Sequence, residues 1–319
     1  MILIISDIND VHTIKVESYL DNDSIKYIRF NVDVESLKST LVRYDEKEWE
    51  IDCTNGCFNT SEIKVVWNRR TYVELLLDEV DNNDPGFKIW KGEWNKTLLG
   101  IYSSLESKKW LNFYRDAYYA ENKYRQYIVA KNLKMKTPSF VCSNDKDFLT
   151  KSFNENREKV LKFMNQDFYK IKDGDYKGIY VNKIKVKDLD KFQKSGENPV
   201  ILQDYITKKF EVRYTVVGQN HLVCRIDSQL SSVANVDWRR YDLANTPHSI
   251  IAPPIDVRDN VVKFMKEFNL NYGALDFIVS KEDEWYFLEL NSMGQFLWIE
   301  DLTGLEISHS IAKWLIINN

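Results

Sequence analysis

The sequence predicts a mixed α/β protein built from several subdomains, and three observations carry that expectation. The chain has 319 residues, of which 44% are hydrophobic, enough for two or three subdomains around sizeable cores. Its first third alternates apolar strand-length runs with helix-spaced stretches, as a small α/β unit does. Its last third carries strand after strand separated by polar turns, the pattern of an antiparallel sheet with closing helices.

The elements follow in order. Residues 2–5 are a buried strand, 11–20 a helix, 25–30 a second strand and 63–67 another. The acidic, Asn-rich stretch 78–86 reads as a loop ending in a turn, and 90–109 has helical spacing. Residues 117–133 predict one polar-faced helix with Tyr124, Tyr127 and Ile128 at helical intervals, closed by Thr137-Pro138. A strand at 139–142, a helix ending near Arg157 and a strand at 160–163 come next. Residues 169–185 predict a hairpin turning at 173–178, and 200–206 an apolar strand. Strands at 213–217 and 221–226 and helices at 258–268 and 306–317 complete the chain. Subdomain boundaries are expected near 115 and 200, giving parts 1–115, 116–200 and 201–319.

Composition excludes several classes. The net charge of −4 argues against a general nucleic-acid binder, whose footprint would be basic. Cys53, Cys57, Cys142 and Cys224 are too scattered for a disulfide framework or a zinc site and read as structural thiols. No signal peptide opens the sequence and no stretch approaches the ~18 apolar residues of a membrane span, so a soluble cytoplasmic protein without a membrane role is expected. Neither GxxxxGK[ST] nor GxGxxG occurs, and the four His show no metal or triad spacing.

The most informative residues are Asp276, Glu289 and Asn291. Two strand-like runs, 272–279 and 285–291, flank the polar 281–284, which suits a hairpin loop. A four-residue loop places Asp276 opposite Glu289, on the face that also carries Asn291. Carboxylates so placed have Cβ atoms about 5 Å apart and repel. A divalent cation removes that penalty, and hard oxygen ligands suit Mg²⁺ bridging to nucleotide phosphates. A solvated hairpin face bearing a few acids is the plain alternative. A magnesium nucleotide site without a P-loop must neutralise phosphates with Lys and Arg from separate elements. Lys162, inside an apolar strand, and Lys123, at the start of the helix before Thr137-Pro138, are candidates, although each could equally be a solvated or snorkelling lysine.

The order of these residues resembles the ATP-grasp superfamily over nearly the whole chain, and more narrowly the graspetide synthetases, the microviridin-type peptide ligases. The matching stretches are Arg29-Phe-Asn31, Val66-Trp-Asn-Arg-Arg70, Glu121-Asn-Lys-Tyr-Arg-Gln126, Ala130-Lys131 and Thr137-Pro138. They continue with Gln203-Asp-Tyr-Ile206, Phe210-Glu-Val-Arg-Tyr-Thr-Val-Val-Gly218, Ile226-Asp-Ser-Gln229, Val236-Asp-Trp-Arg239, Ala274-Leu-Asp276 and Leu288-Glu-Leu-Asn291. The Lys162 stretch departs by lacking the proline that often follows the family's lysine. The resemblance implies an ATP-grasp fold of three subdomains with nucleotide between the central and C-terminal ones. It implies ATP and Mg²⁺ as cofactors, with Lys123 and Lys162 on the phosphates. Gln203, Asp204, Tyr205 and Ile206 would line the adenine slot, with Glu211 near the ribose and Asp276, Glu289 and Asn291 on magnesium. Arg213, Arg225 and Arg239 would face the transferred phosphate or the acceptor carboxylate. The basic residues Lys208, Lys209 and Arg240 belong to the same predicted sheet, and each could also be a solvated face.

The activity implied is ATP-dependent macrocyclisation of a ribosomally made precursor peptide. A Glu or Asp side chain would become an acyl phosphate, and a Thr or Ser hydroxyl or a Lys amine would attack it. The partners implied are a leader-bearing precursor, met through residues 169–192, and a second copy of the chain in a homodimer. A ligase adding glutamate or another amino acid to a protein or peptide tail shares every nucleotide residue and stays open. So does a catalytically silent peptide-binding module, against which the clustered acids speak.

Overall fold

The computed structural model describes residues 1–153, 158–164, 168–170, 176–178, 181–192, 198–231 and 245–319. The chain opens with β1 (Ile2–Ser6), α1 (Val11–Asn22), β2 (Tyr27–Asn31) and α2 (Val34–Lys38). A three-stranded antiparallel meander follows, β3 (Leu41–Tyr44), β4 (Trp49–Cys53) and β5 (Gly56–Asn59), which sequence patterning passed over. Next come β6 (Val65–Asn68), α3 (Leu77–Val80), α4 (Pro85–Ser104) and β7 (Lys109–Leu111). The first sheet runs β2-β1-β6-β7, all parallel. A parallel strand covered on both faces has no reason to alternate, which explains the unbroken apolar run 2–5. Ile2 and Ile4 enter one core, Leu3 and Ile5 another.

Two expectations in this part are corrected. The stretch 78–86 is not all loop: α3 occupies its start, and α4 begins at Pro85, well before residue 90. The Asp84 carboxylate accepts from Phe87 N at 2.7 Å with Pro85 in the first helical position, a start signal legible in the residues themselves.

The single helix expected over 117–133 is two, α5 (Tyr114–Ala120) and α6 (Lys123–Asn132). Asn122 breaks the run by capping α6, its side chain accepting from Arg125 N at 3.1 Å. The next strands and helix are β8 (Phe140–Ser143), α7 (Lys146–Lys151), β9 (Lys159–Lys162), β10 (Phe168–Lys170), β11 (Tyr176–Gly178), β12 (Asn182–Ile184) and β13 (Val200–Asp204). A second sheet has the order β12-β9-β13-β8, antiparallel throughout. The hairpin expected over 169–185 is met in part: β10 pairs with β11, but β11 occupies 176–178, where the turn was expected, and 182–184 belong to β12 on the second sheet. The rest of the expected turn, 173–175, lies outside the described residues. The helix expected to end near Arg157 ends at Lys151.

The last part contains β14 (Lys208–Val217), β15 (Asn220–Ile226), β16 (His248–Ile250), α8 (Ile255–Glu267), β17 (Tyr272–Ser280), β18 (Trp285–Asn291), α9 (Leu297–Thr303) and α10 (Ile307–Ile317). Its sheet has the order β16-β15-β14-β17-β18 and is antiparallel. Val261, Phe264 and Met265 of α8 pack on the face bearing Val212, Tyr214, Phe277 and Phe287. The opposite face, with Glu211, Arg213, Asp276 and Glu289, is left for the cleft described below. Near the chain's end α9 and α10 fold back on the first sheet, so Ile299, Ile311 and Leu315 share a core with Ile2, Ile4 and Trp67. Among the described residues no helix is long and apolar enough to cross a membrane.

Candidate active site

A cleft of about 560 Å³ opens between the second and third sheets. Val160 and Lys162 of β9 form one wall, with Val181 and Pro138 beside them. Gln203 and Asp204 of β13 and the exit residues Tyr205 and Ile206 form the back. Glu211, Asp276, Ile278, Leu288 and Glu289 form the facing wall. Residues widely separated in the chain, and singled out as phosphate, base, ribose and metal contacts, therefore line one cavity with apolar flanks. Such a mixture of apolar walls and convergent polar groups is what a small-molecule site requires.

The hairpin behind the acids has the expected outcome by an unexpected route. Asp276 pairs with Glu289, and Ala274 with Asn291. Nearer the loop, however, Val279 pairs with Trp285 and Phe277 with Phe287, a register one residue tighter than a four-residue loop gives. A β-bulge at Leu288 restores the difference, since it leaves two residues of β18 opposite Asp276. Leu288 and Glu289, adjacent in sequence, both line the cleft as a result. Plain alternation would have sent one of them to the other face.

The electrostatics also differ from expectation. The two carboxylates were expected to repel until a cation arrived. Instead each has its own countercharge from outside the hairpin. Arg213 Nη1 donates to both Asp276 oxygens, at 2.9 and 3.0 Å, as their register across β14 and β17 allows. Lys123 Nζ lies 2.8 Å from Glu289 Oε2, with little of either side chain exposed. Lys123 reaches it from the first turn of α6, a position set by the Asn122 cap. The donor set still suits a hard divalent ion: two acids face each other across one register row, and Asn291 stands two residues beyond Glu289 on the same strand face. Asn291 is half-buried beside the cleft rather than in its lining.

Other assignments shift in detail. Glu211 lines the cleft, yet its carboxylate is already held by Lys208 Nζ at 2.8 Å and by the Ser228 hydroxyl. Lys208 is therefore buried, not part of a solvated basic face, whereas Lys209 is exposed and pairs with Asp283. Asp204 is neutralised by Lys159, its register partner on β9, a contact the sequence reading missed. The Gln203 amide donates to Tyr127 OH at 3.3 Å, and burial pushes that phenol up to about 12.

Arg225 is a clear correction. It pairs with Val212 on β14, so it shares the face of Phe210 and Val212 and not that of Glu211 and Arg213. Its guanidinium lies 4.2 Å from the Phe210 ring and binds Asp227, with contacts from 2.6 to 3.1 Å. One step along a strand reverses the face, and that step removes Arg225 from the cleft. Arg239 and Arg240, with the Asp237-Trp-Arg stretch, lie outside the described residues.

Comparison with known proteins adds an independent line. Residues 1–117 match the family model described as the MvdD pre-ATP grasp domain. The structure resembles a Chryseobacterium gregarium RiPP-associated ATP-grasp ligase solved with ADP and a leader and core peptide. Identity is 28%, coverage 100% of this chain and 97% of that one, and the TM-score 0.86. It also resembles the Microcystis aeruginosa macrocyclase MdnC bound with precursor peptide MdnA, at 25% identity, 100% coverage of both chains and a TM-score of 0.88. D-alanyl-alanine synthetase A from Vibrio cholerae shares the fold alone, at 11% identity, 99% and 97% coverage and a TM-score of 0.60. No curated protein sequence matches the chain.

Proposed function

We infer that this chain, an ATP-grasp ligase of the graspetide-synthetase type, macrocyclises a ribosomally made precursor peptide. The observation that carries this reading is similarity along the whole chain, at 28% identity, to a peptide ATP-grasp ligase that holds ADP together with a leader and core peptide. The cleft gives the reading its chemistry. Pro138, Val160, Ile278 and Leu288 offer apolar walls to a base beside Gln203, Asp204, Tyr205 and Ile206. Glu211 stands near the ribose, and Lys123 and Lys162 serve the phosphates. Asp276, Glu289 and Asn291 would hold Mg²⁺, which when bound neutralises charge shared between the β- and γ-phosphates.

An acceptor Glu or Asp carboxylate of the peptide attacks the γ-phosphorus of ATP, and ADP leaves. A Thr or Ser hydroxyl or a Lys amine then attacks the acyl carbon, and phosphate leaves with formation of the ester or amide. Lys123 and Arg213 begin on the acids and can turn toward phosphate or acceptor oxygens as these arrive. Cations held beside the cleft in this way can stabilise the charge that develops on the transferred phosphoryl group. The same reading carries a cytoplasmic homodimer, a core rich in Thr and Glu, and a three-part division of the chain near residues 115 and 200.

The test is a precursor peptide with leader and Glu-rich core, incubated with enzyme, ATP and Mg²⁺. ADP release should rise with the peptide, and the product should lose about 18 Da for each ring closed by condensation. Equal stimulation by free glutamate, with mass gain on a peptide tail, would replace this reading with that of an amino-acid-adding ligase.

A further inference from the structure

Asn291 ends β18, and the chain turns at once: Gly294 N donates to Asn291 O at 3.4 Å. A Cβ on Gly294 would stand 2.7 Å from Ala274 Cβ and 3.3 Å from Asn291 Cβ. The turn thus packs closely on Ala274 and on the stem of the Asn291 side chain, so a shift of the turn would bear on that side chain's position.

Groups outside the strand hold this turn. Tyr272 OH donates to Gly294 O at 2.7 Å, and Asn112 Nδ2 donates to Ser292 O at 3.0 Å. Arg69, at the carboxyl end of β6, sends Nη1 to Met293 O at 2.9 Å. Its Nε donates to Asp10 Oδ2 at 3.0 Å, and the residue is 2% exposed. A fully buried guanidinium is costly unless its bonds are all well placed, and a backbone carbonyl alone could be satisfied by a neutral donor. The arrangement suits a rigid strut whose base is fixed by Asp10 and whose tip sets the 292–294 turn.

We propose that Arg69 is a positioning residue for the metal side of the cleft, acting from the first subdomain through the 292–294 turn on Asn291. The proposal rests on the reading of Asp276, Glu289 and Asn291 as Mg²⁺ ligands. Groups that orient ligands in this way change metal affinity by about 10- to 100-fold when removed. Lysine keeps a charge for Asp10, but a point charge cannot span Asp10 and Met293 O as the planar fork does.

The experiment measures ADP binding calorimetrically at increasing Mg²⁺, together with amide exchange at residues 292–294. Arg69→Lys should raise the Mg²⁺ concentration for half-maximal tightening of ADP by about tenfold or more, speed exchange in the turn, and leave metal-free ADP affinity within about twofold. An unchanged Mg²⁺ midpoint, or equal loss of ADP affinity with and without the ion, overturns the proposal. Asn291→Ala is measured in parallel. If it leaves the midpoint unmoved, the metal reading falls and the proposal with it; if it shifts the midpoint while Arg69→Lys does not, the proposal alone falls. Should Arg69→Lys not fold, Tyr272→Phe removes one donor to Gly294 O without changing shape. A midpoint raised about threefold supports the strut, at the low end of such positioning effects, and no change overturns it.

Discussion

Asp276 faces Glu289 across the hairpin while Arg213 and Lys123 cover the two acids from other elements. Removing an acid therefore exposes a partner cation instead of relieving repulsion. Glu289→Ala is expected to lower cross-linking by about 100-fold or more, roughly 3 kcal/mol of transition-state stabilisation. It should also lower the melting temperature slightly, because Lys123 loses its carboxylate. Mass spectrometry of the product and a thermal melt of the same variant check both parts, and full cyclisation at saturating Mg²⁺ would sink the assignment. Arg213 raises a separate question, since one of its terminal nitrogens is shared by both Asp276 oxygens. Its guanidinium can still grip an acceptor carboxylate in a geometry that lysine cannot copy. Arg213→Lys is expected to keep ADP affinity within a few-fold and to lose about 100-fold in cross-linking. Lost ADP binding would move Arg213 to the phosphates, and unchanged cross-linking would remove it from the reaction.

The bulge at Leu288 decides what β18 can present. Because two residues oppose Asp276 there, an apolar wall and a metal-binding acid stand side by side in the cleft. Burying a leucine side chain against a ligand contributes about 1.5–3 kcal/mol. Leu288→Ala should then weaken ADP binding by about tenfold or more with little change in melting temperature, since the cleft side of Leu288 faces no core. Equal ADP affinity in the variant would show that the base does not lie on this wall. Bulges of this kind mark the limit of what the sequence discloses. The acids at 276 and 289 were legible from alternation and loop length, and β1 and the strand at 200–206 from unbroken apolar runs of strand length. The bulge leaves no such pattern, as it is one extra residue without a composition of its own. Arg225 was placed on the wrong face because strand presence was legible but register was not. The α5–α6 break and the start of α4 were written in Asn122 and Asp84-Pro85, yet helical periodicity continues past such caps and hides them. The β3–β5 meander lacks a long apolar run, and only Ile51, Cys53 and Phe58 among its strand residues are buried.

At the scale of the molecule the first sheet and α1 are tied to the chain's last elements by a shared apolar core and by polar contacts that cross it. His12 of α1 is one of these: its Nδ1 accepts from Leu297 N at 3.4 Å and Phe296 N at 3.5 Å, and its ring meets Phe296 at 4.6 Å. The acceptor role requires a neutral imidazole. Burial first, then the neighbouring Arg69 and Arg70, lower its pKa to about 4, against an opposing pull from Asp10. In the unfolded chain a histidine titrates near 6.5. Between these values the unfolded chain binds a proton that the native protein does not, so stability falls as pH drops through the window. The loss reaches at most about 3 kcal/mol by pH 4. Asp10 does not mask it: burial, the largest single influence, would raise that carboxyl, but the charge and hydrogen bond of Arg69 together with the charges of Arg70 and His12 outweigh it. They hold the carboxyl below the usual range, so its own loss comes at still lower pH. His12→Asn keeps an acceptor facing the two amides and cannot titrate. Melting curves of the protein and this variant should coincide in slope above pH 7 and diverge below about 6.5, the native sequence falling more steeply by the equivalent of one proton. Parallel curves down to pH 4.5 would mean that His12 is not the neutral clamp between the two ends of the chain.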